Sequence, residues 1–222
     1  MYSCVTAFLA GISEACLEYV KQKATHGDPA SVIAAIDEFA SARHMMNVGI
    51  NKGKIVDKEI RKKKPTVMAE LGGYTGYSAV RFASVQREIA GNNESHYYSF
   101  EFSPVFAARV REMVAIAGLS DQVTVIEGAF SEQYQALKGK TVDIYFIDHE
   151  KSVYLSDAKL IVESGTLQPG SLLVADNVLV PGAPDYLDYV ENSPLFSTTR
   201  YEVQMGRSFT LTDAISVATY LG

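Results

Sequence analysis

Tryptophan is absent from the 222 residues, cysteine occurs only twice and histidine four times. Cys4 and Cys16 stand at no metal-ligand spacing with the histidines and fall in an apolar helical pattern. They suit small buried hydrophobes in a reducing compartment. The start Met1-Tyr2-Ser3-Cys4-Val5 lacks a basic region, and Glu14 and Glu18 interrupt the apolar run around Phe8-Leu9-Ala10. Neither a secretory leader nor a membrane span is expected, and the predicted location is the cytoplasm. Positive charge is not in excess: 20 Lys and Arg stand against 26 Asp and Glu, a formal net charge of −6. Without an overall basic footprint, nucleic acid is disfavoured as a partner. Repeats, low-complexity tracts and linkers are also missing. With 47% hydrophobic and 21% charged residues, the chain suits one α/β domain over 1–222.

What is present alternates in a regular way. Residues 6–23 read as an amphipathic helix before a turn at His26-Gly27. Asp28-Pro29 starts a second helix, Asp as cap and Pro in the first position, with Val32, Ile33, Ile36 and Phe39 on one face. A loop over 44–49 leads to a third helix over 51–63. Its basic end, Arg61-Lys62-Lys63-Lys64, suits either a phosphate patch or the cations that a helix C-terminus favours. From Pro65 the spacing predicts strands over 67–71, 96–102, 122–126, 142–148 and 171–176. Helices over 77–89, 104–117, 131–137 and 154–164 separate them, and 196–204 with 208–219 predict a hairpin at the sheet edge. Repeated βα units imply right-handed crossovers. The expectation is a mostly parallel, seven-stranded sheet with a C-terminal antiparallel hairpin and helices on both faces. The core spans 65–222, and the helices of 1–64 cover its cleft.

The organising stretch is Val67-Met68-Ala69-Glu70-Leu71-Gly72-Gly73-Tyr74-Thr75-Gly76-Tyr77-Ser78. Glycines at 72, 73 and 76 let the backbone bend sharply and approach a ligand at the carboxyl end of a strand, where open α/β sheets bind. The spacing does not fit the dinucleotide fingerprint G-x-G-x-x-G, since position 77 is Tyr, and this disfavours a nicotinamide-dependent oxidoreductase. The order acid, x, Gly, x, x, x, Gly (Glu70, Gly72, Gly76) resembles the first motif of S-adenosylmethionine-dependent methyltransferases. Glu101, at the end of the next apolar run, stands where an acid holds a ribose diol. The alternative is a helix N-terminal acid before Ser103-Pro104.

Two further strands finish in acids, Ile147-Asp148 and Ala175-Asp176-Asn177, on the same edge as Glu70 and Glu101 if the strands are parallel. Two carboxylates and an amide oxygen with room for water or substrate are a donor set for Mg²⁺; the alternative is that the acids cap the following turns. Lys151, three positions past Asp148, reaches the same cleft. An amine beside a bound divalent ion gives up its proton more readily, which suits a general base, against the alternative of a surface lysine.

Taken together, several stretches resemble the catechol O-methyltransferase family: Gly27-Asp28-Pro29, Met46-Asn47-Val48-Gly49 with Lys52-Gly53, the 70–81 loop and helix start, Ala117-Gly118-Leu119, Asp148-His149 with Lys151, Tyr154 and Leu155, and Ala175-Asp176-Asn177-Val178 with Pro181-Gly182 and Pro184-Asp185. The resemblance runs from about residue 17 to the C-terminus. It implies a Rossmann-like class I fold and Mg²⁺-dependent methyl transfer from S-adenosylmethionine to one hydroxyl of a catechol-type diol. By that resemblance Asp148, Asp176 and Asn177 hold the metal, while Lys151 takes the proton of the attacking hydroxyl. Glu70, Gly72, Tyr74, Ser78, Met46 and Val48 surround the methionine part of the cofactor. Glu101 takes the ribose, and His149 with Ser131 and Asp148 completes the cofactor site.

The resemblance also has gaps. The family's two pocket tryptophans correspond to His44 and Glu150, an acid expected near Gly206-Arg207 is replaced by Arg207, with Glu202 several residues earlier, and a polar pair after the third strand becomes Phe130-Ser131. Pro181 remains as a pocket wall. The expected substrate contacts are therefore His44, Lys52, Glu150, Lys151, Asn177, Pro181 and Arg207, around a substrate shifted toward a more polar or larger diol. Alternatives are a related cation-dependent enzyme of hydroxycinnamoyl or flavonoid substrates, and a non-catalytic cofactor-binding module, which has no need of Lys151. A small-molecule substrate and a monomer or weak dimer complete the expectation.

Overall fold

The computed structural model describes residues 2–43, 45–91, 94–205 and 211–222, with side chains from residue 7 onward. Residues 206–210, expected to join the terminal hairpin, and His44 lie outside the described residues.

The N-terminal helices are α1 (Tyr2–Lys23), α2 (Pro29–Ala42) and α3 (Gly49–Lys63). Asp28 caps α2 as its position before Pro29 dictates, its carboxylate accepting from the N–H groups of Ala30 and Ser31 at 3.0 and 3.3 Å. Strands β1 (Val67–Leu71), β2 (His96–Glu101), β3 (Val123–Glu127), β4 (Ile144–Ile147) and β5 (Leu172–Ala175) then alternate with α4 (Tyr77–Ala90), α5 (Pro104–Ile116), the short α6 (Phe130–Gln133) and α7 (Tyr154–Glu163). After β5 come α8 (Pro184–Asn192) and the long strands β6 (Phe196–Met205) and β7 (Leu211–Tyr220).

The strands form one seven-stranded sheet in the order β3-β2-β1-β4-β5-β7-β6. The first five are parallel, and β7 runs antiparallel to both β5 and β6, as the alternation of the sequence implies. The chain builds outward from β1 through β2 to β3, then crosses back to lay β4 on the other side of β1. The crevice between β1 and β4 is therefore the topological switch point, the place where doubly wound sheets bind ligands.

Side-chain alternation along the buried strands sorts the core into two layers. In β4, Ile144 and Phe146 pack with α1 to α5 on one face, and Tyr145 and Ile147 pack with α6 to α8 on the other. Cys16 is fully buried in the first layer, and burial pushes its thiol up to about 12, so it behaves as a small hydrophobe; the side chain of Cys4 lies outside the described residues.

Helix α8 has no counterpart in the sequence reading. Its signal was present in Pro184 at the first turn and in Tyr186, Leu187 and Val190, which are buried on one face. The loop from Asn177 enters it through a wide turn over Val178–Gly182 in which Val180 is extended. Among the described residues, no helix is long and apolar enough to cross a membrane.

Phe82 and Phe146 meet edge-on at 5.0 Å, both with no exposed surface, where α4 crosses the sheet. Phe82→Ala is expected to lower unfolding stability by about 3–5 kcal/mol, measurable as a lower urea midpoint at unchanged slope.

Candidate active site

A single cavity of about 1730 Å³ runs along the carboxyl ends of the parallel strands. It brings together Met46, Val48, Lys52, Gly72, Tyr74, Glu101, Ser131, Asp148, His149, Glu150, Lys151, Asn177 and Pro181 of the residues expected from sequence. Glu70, Ser78 and Asp176 do not line it. His44 and Arg207 fall outside the described residues.

The glycine loop earns its composition at two points. Gly72, at φ 98°, passes so close to the start of the β4–α7 connection that a Cβ would lie 2.5 Å from the carbonyl oxygen of Asp148. Gly76, at φ 88°, leads into α4 against Met113 and Val110. Glu70 lies fully buried beneath this loop, accepting from the hydroxyls of Ser99 at 2.5 Å and Tyr97 at 2.9 Å. Burial pushes its carboxyl up to about 7 against those hydrogen bonds.

Glu101 does the outward-facing work. Its Oε2 accepts from Gly73 N and Tyr74 N, both at 2.9 Å, and its Oε1 from Ser103 N at 2.8 Å. It thus ties the loop to the end of β2 and caps the start of α5, and as a lining residue of the cavity it has one acceptor position on Oε1 unfilled by these donors. Tyr74 is pinned edge-on against Phe106 at 4.9 Å, and its hydroxyl donates to the carbonyl of Leu9. Phe102, which sequence reading passed over, lines the cavity directly after Glu101 with 76% of its surface exposed.

On the β4 side, His149 stacks on Tyr154 at 5.1 Å, and its Nε2 lies 2.8 Å from the carboxylate of Asp157. Its Nδ1 is buried without a hydrogen-bond partner among the described residues. Lys151 is no free surface lysine. Its Nζ donates to Tyr154 Oη at 2.6 Å, Asp148 Oδ1 at 3.1 Å and the His149 carbonyl at 3.2 Å. The Tyr154 hydroxyl in turn lies within reach of the carbonyls of Ile147 and Asp176, at 2.9 and 3.1 Å, and so bridges the ends of β4 and β5.

Asp176 and Asn177 follow β5 directly, Asn177 in the left-handed region at φ 57°. Asp176 Oδ1 accepts from Asn177 N at 2.7 Å and from the ammonium of Lys52 at 2.6 Å. The same ammonium lies 2.6 Å from Asp213 Oδ2, and all three side chains are at most 7% exposed. Burial, and the charge of Asp148 beside it, push the Asp176 carboxyl above its ordinary value; burial likewise raises Asp148 against the pull of Lys151. Burial opposes the charge on Lys52, yet Asp176 and Asp213 together hold its ammonium above the usual range. Asp213 keeps its charge against burial through Lys52 and its backbone donors. Asp213 escaped the sequence reading, although an acid within the apolar strand 211–220 was a signal for it.

Among the described residues, no group of three or more His, Cys, Asp and Glu is arranged to hold a metal. A cation here depends on the amide oxygen of Asn177 beside two carboxylates. The set fits a hard divalent ion: it is all oxygen, and burial, joined at Asp176 by the charge of Asp148, holds both acids above their ordinary values despite the lysines beside them.

Residues 69–178 match the family model described as a methyltransferase domain, which with the doubly wound sheet places the chain among the methyltransferases. The chain is 41% identical over 211 residues to catechol O-methyltransferase of Bos taurus, covering 93% of this chain and 75% of that one. It is 42% identical over 191 residues to catechol O-methyltransferase B of Danio rerio, with 84% and 70% covered. Among solved structures, the O-methyltransferase of Bacillus cereus in complex with S-adenosylhomocysteine superposes with a TM-score of 0.71 at 21% identity, covering 93% and 90% of the two chains. The chain belongs to the catechol O-methyltransferase family.

The buried acid beneath the loop sets a pH dependence of stability. Because the folded pKa of Glu70 is raised, its contribution is complete below about 4.5 and is lost as pH rises through about 7. Glu70→Gln is expected to remove a fall on the order of 3 kcal/mol across that window, seen as a flatter plot of unfolding free energy against pH.

Proposed function

We propose that this enzyme transfers the methyl group of S-adenosylmethionine to one hydroxyl of a catechol-type vicinal diol, with Mg²⁺ held by Asp148, Asp176 and Asn177. The observation that carries the reading is the meeting of Lys151 Nζ with Asp148 Oδ1 at 3.1 Å in the cavity that also receives the glycine loop. The catechol O-methyltransferase names of relatives at 41% and 42% identity support the diol.

In this reading Gly72 and Tyr74, with Met46 and Val48 opposite, hold the methionine part of the cofactor. Glu101 takes the ribose, and His149, set by Asp157, meets the adenine beside Ser131. Mg²⁺ bound at the three oxygen ligands supplies positive charge that acidifies the diol and fixes its orientation. Lys151, once its ammonium has released a proton, would accept the proton of the attacking hydroxyl at Nζ, and S-adenosylmethionine, when bound, would supply the methyl group to that oxygen and depart as a neutral thioether. The leaving group is already good, so most of what the protein adds is alignment of oxygen, methyl carbon and sulfur.

Selectivity lies with the altered walls. Glu150 is exposed on the cavity where the family carries an aromatic ring, and Pro181 also lines that cavity. Tryptophan is absent from the whole chain. The exposed carboxylate of Glu150 and the missing aromatic clamp favour a vicinal diol with a larger or more polar substituent, hydroxycinnamoyl and flavonoid diols included.

The test is a panel of catechols and single phenols incubated with S-adenosylmethionine, with and without Mg²⁺. Diols are expected to turn over only with the metal and single phenols not at all; equal turnover in excess chelator removes the metal role. Lys151→Met is expected to lower kcat by roughly 10²- to 10⁴-fold while S-adenosylhomocysteine affinity, measured calorimetrically, stays as in the parent. Unchanged kcat excludes Lys151 as the base, and failure of every diol in the parent enzyme favours a cofactor-binding module instead.

A further inference from the structure

Asp213 has no exposed surface, sits on β7 rather than on any of the parallel strands, and does not itself line the cavity. It is nonetheless saturated with donors. Its Oδ1 accepts from the backbone N–H groups of Ala214, Val180 and Leu179 at 2.8, 3.0 and 3.2 Å. Its Oδ2 accepts from Lys52 Nζ at 2.6 Å and from Asn177 Nδ2 at 2.9 Å.

The last of these contacts decides what Asn177 presents. An amide has one oxygen and one NH₂, and a charged carboxylate can only accept. With its NH₂ drawn to Asp213, the side chain of Asn177 has its oxygen left for the cavity it lines. A turned amide offers a cation two hydrogens instead of a lone pair.

We infer that Asp213 is a positioning residue for the metal site, fixing the Asn177 amide with its oxygen toward the cleft while Lys52 balances the charge this requires. The inference rests on the metal reading proposed above. It places a determinant of metal affinity on the antiparallel strand β7, outside the strand ends that supply the ligands.

The chemistry specifies a test by exchange. In Asp213→Asn, the three backbone donors keep the new amide oxygen on their side, so its NH₂ is forced toward Asn177. The Asn177 amide must then turn its oxygen to that NH₂ and its own NH₂ into the cleft. Adding Asn177→Asp gives residue 177 two oxygens, one to accept from the new amide and one to face the cleft. The double variant therefore moves the carboxylate across the contact without changing the net charge of the pair.

Calorimetric titration of the full chain with MgCl₂ in the presence of S-adenosylhomocysteine is expected to show binding roughly 10- to 100-fold weaker in Asp213→Asn. Affinity is expected to recover in the double variant, and S-adenosylhomocysteine affinity to be equal in all three proteins. Parent-like Mg²⁺ binding in Asp213→Asn overturns the inference and leaves the metal reading standing. Failure of the double variant to recover, with cofactor binding intact, overturns it as well. A parent protein that takes up no Mg²⁺ overturns the metal reading and the inference together.

A second measurement does not depend on Asp213→Asn folding. In the metal-free parent, the side-chain amide protons of Asn177, assigned by their loss in Asn177→Asp, are expected to lie downfield and exchange slowly. Shifts and exchange like those of a free amide overturn the inference.

Discussion

One buried ammonium governs how the first helices meet the sheet. Lys52 rises from the first turn of α3 and ends between Asp176, at the end of β5, and Asp213, on β7. Each of the three charges alone would be costly in so dry a place, and removing one partner of a buried pair typically costs about 3–5 kcal/mol. The pairing therefore fixes α3 across the carboxyl edge of the sheet. The segment that precedes α3, with Met45, Met46 and Val48, is carried over the cavity as a result. The same contact sets two acids within hydrogen-bond distance of one cation.

The acids of the glycine-loop motif divide their labour. Glu70 is closed off by Ser99 and Tyr97 and acts as a peg under the loop, at the expense of a raised pKa. Glu101 holds the loop from the neighbouring strand end through Gly73 N and Tyr74 N and lines the cavity. The two readings of Glu101, ligand acid and helix-start acid, are compatible, because a carboxylate has acceptor positions enough for the Ser103 N–H and for more.

Much of this was legible in the chain. Strand ends marked by Glu70, Glu101, Asp148 and Asp176 converge because a parallel sheet aligns all its carboxyl ends, and alternation alone is sufficient to predict that. Caps such as Asp28-Pro29 and Ser103-Pro104 act locally and are written locally. What escaped depends on partners remote in sequence. Nothing near Asp213 indicates that Lys52, 161 positions away, will neutralise it, and the tie from His149 to Asp157 depends on how the turn after β4 folds back. Helix α8 was missed for a different reason: its two tyrosines and its acids weaken the apolar stripe, although Tyr186 is buried as deeply as any leucine.

The contact of Gly72 with the Asp148 carbonyl reaches beyond the loop itself. Donor and acceptor sites of the proposed reaction hang from adjacent strands, whose separation of about 4.8 Å is set by backbone hydrogen bonding. The walls that would meet a substrate's substituent, at 180–181 and 203–205, belong to a connection and to the hairpin. Transfer distance is thereby insulated from drift in the lining. A lineage can exchange aromatic walls for acids and methionines, and so redirect which diol is welcomed, without retuning the stroke along which the methyl group moves.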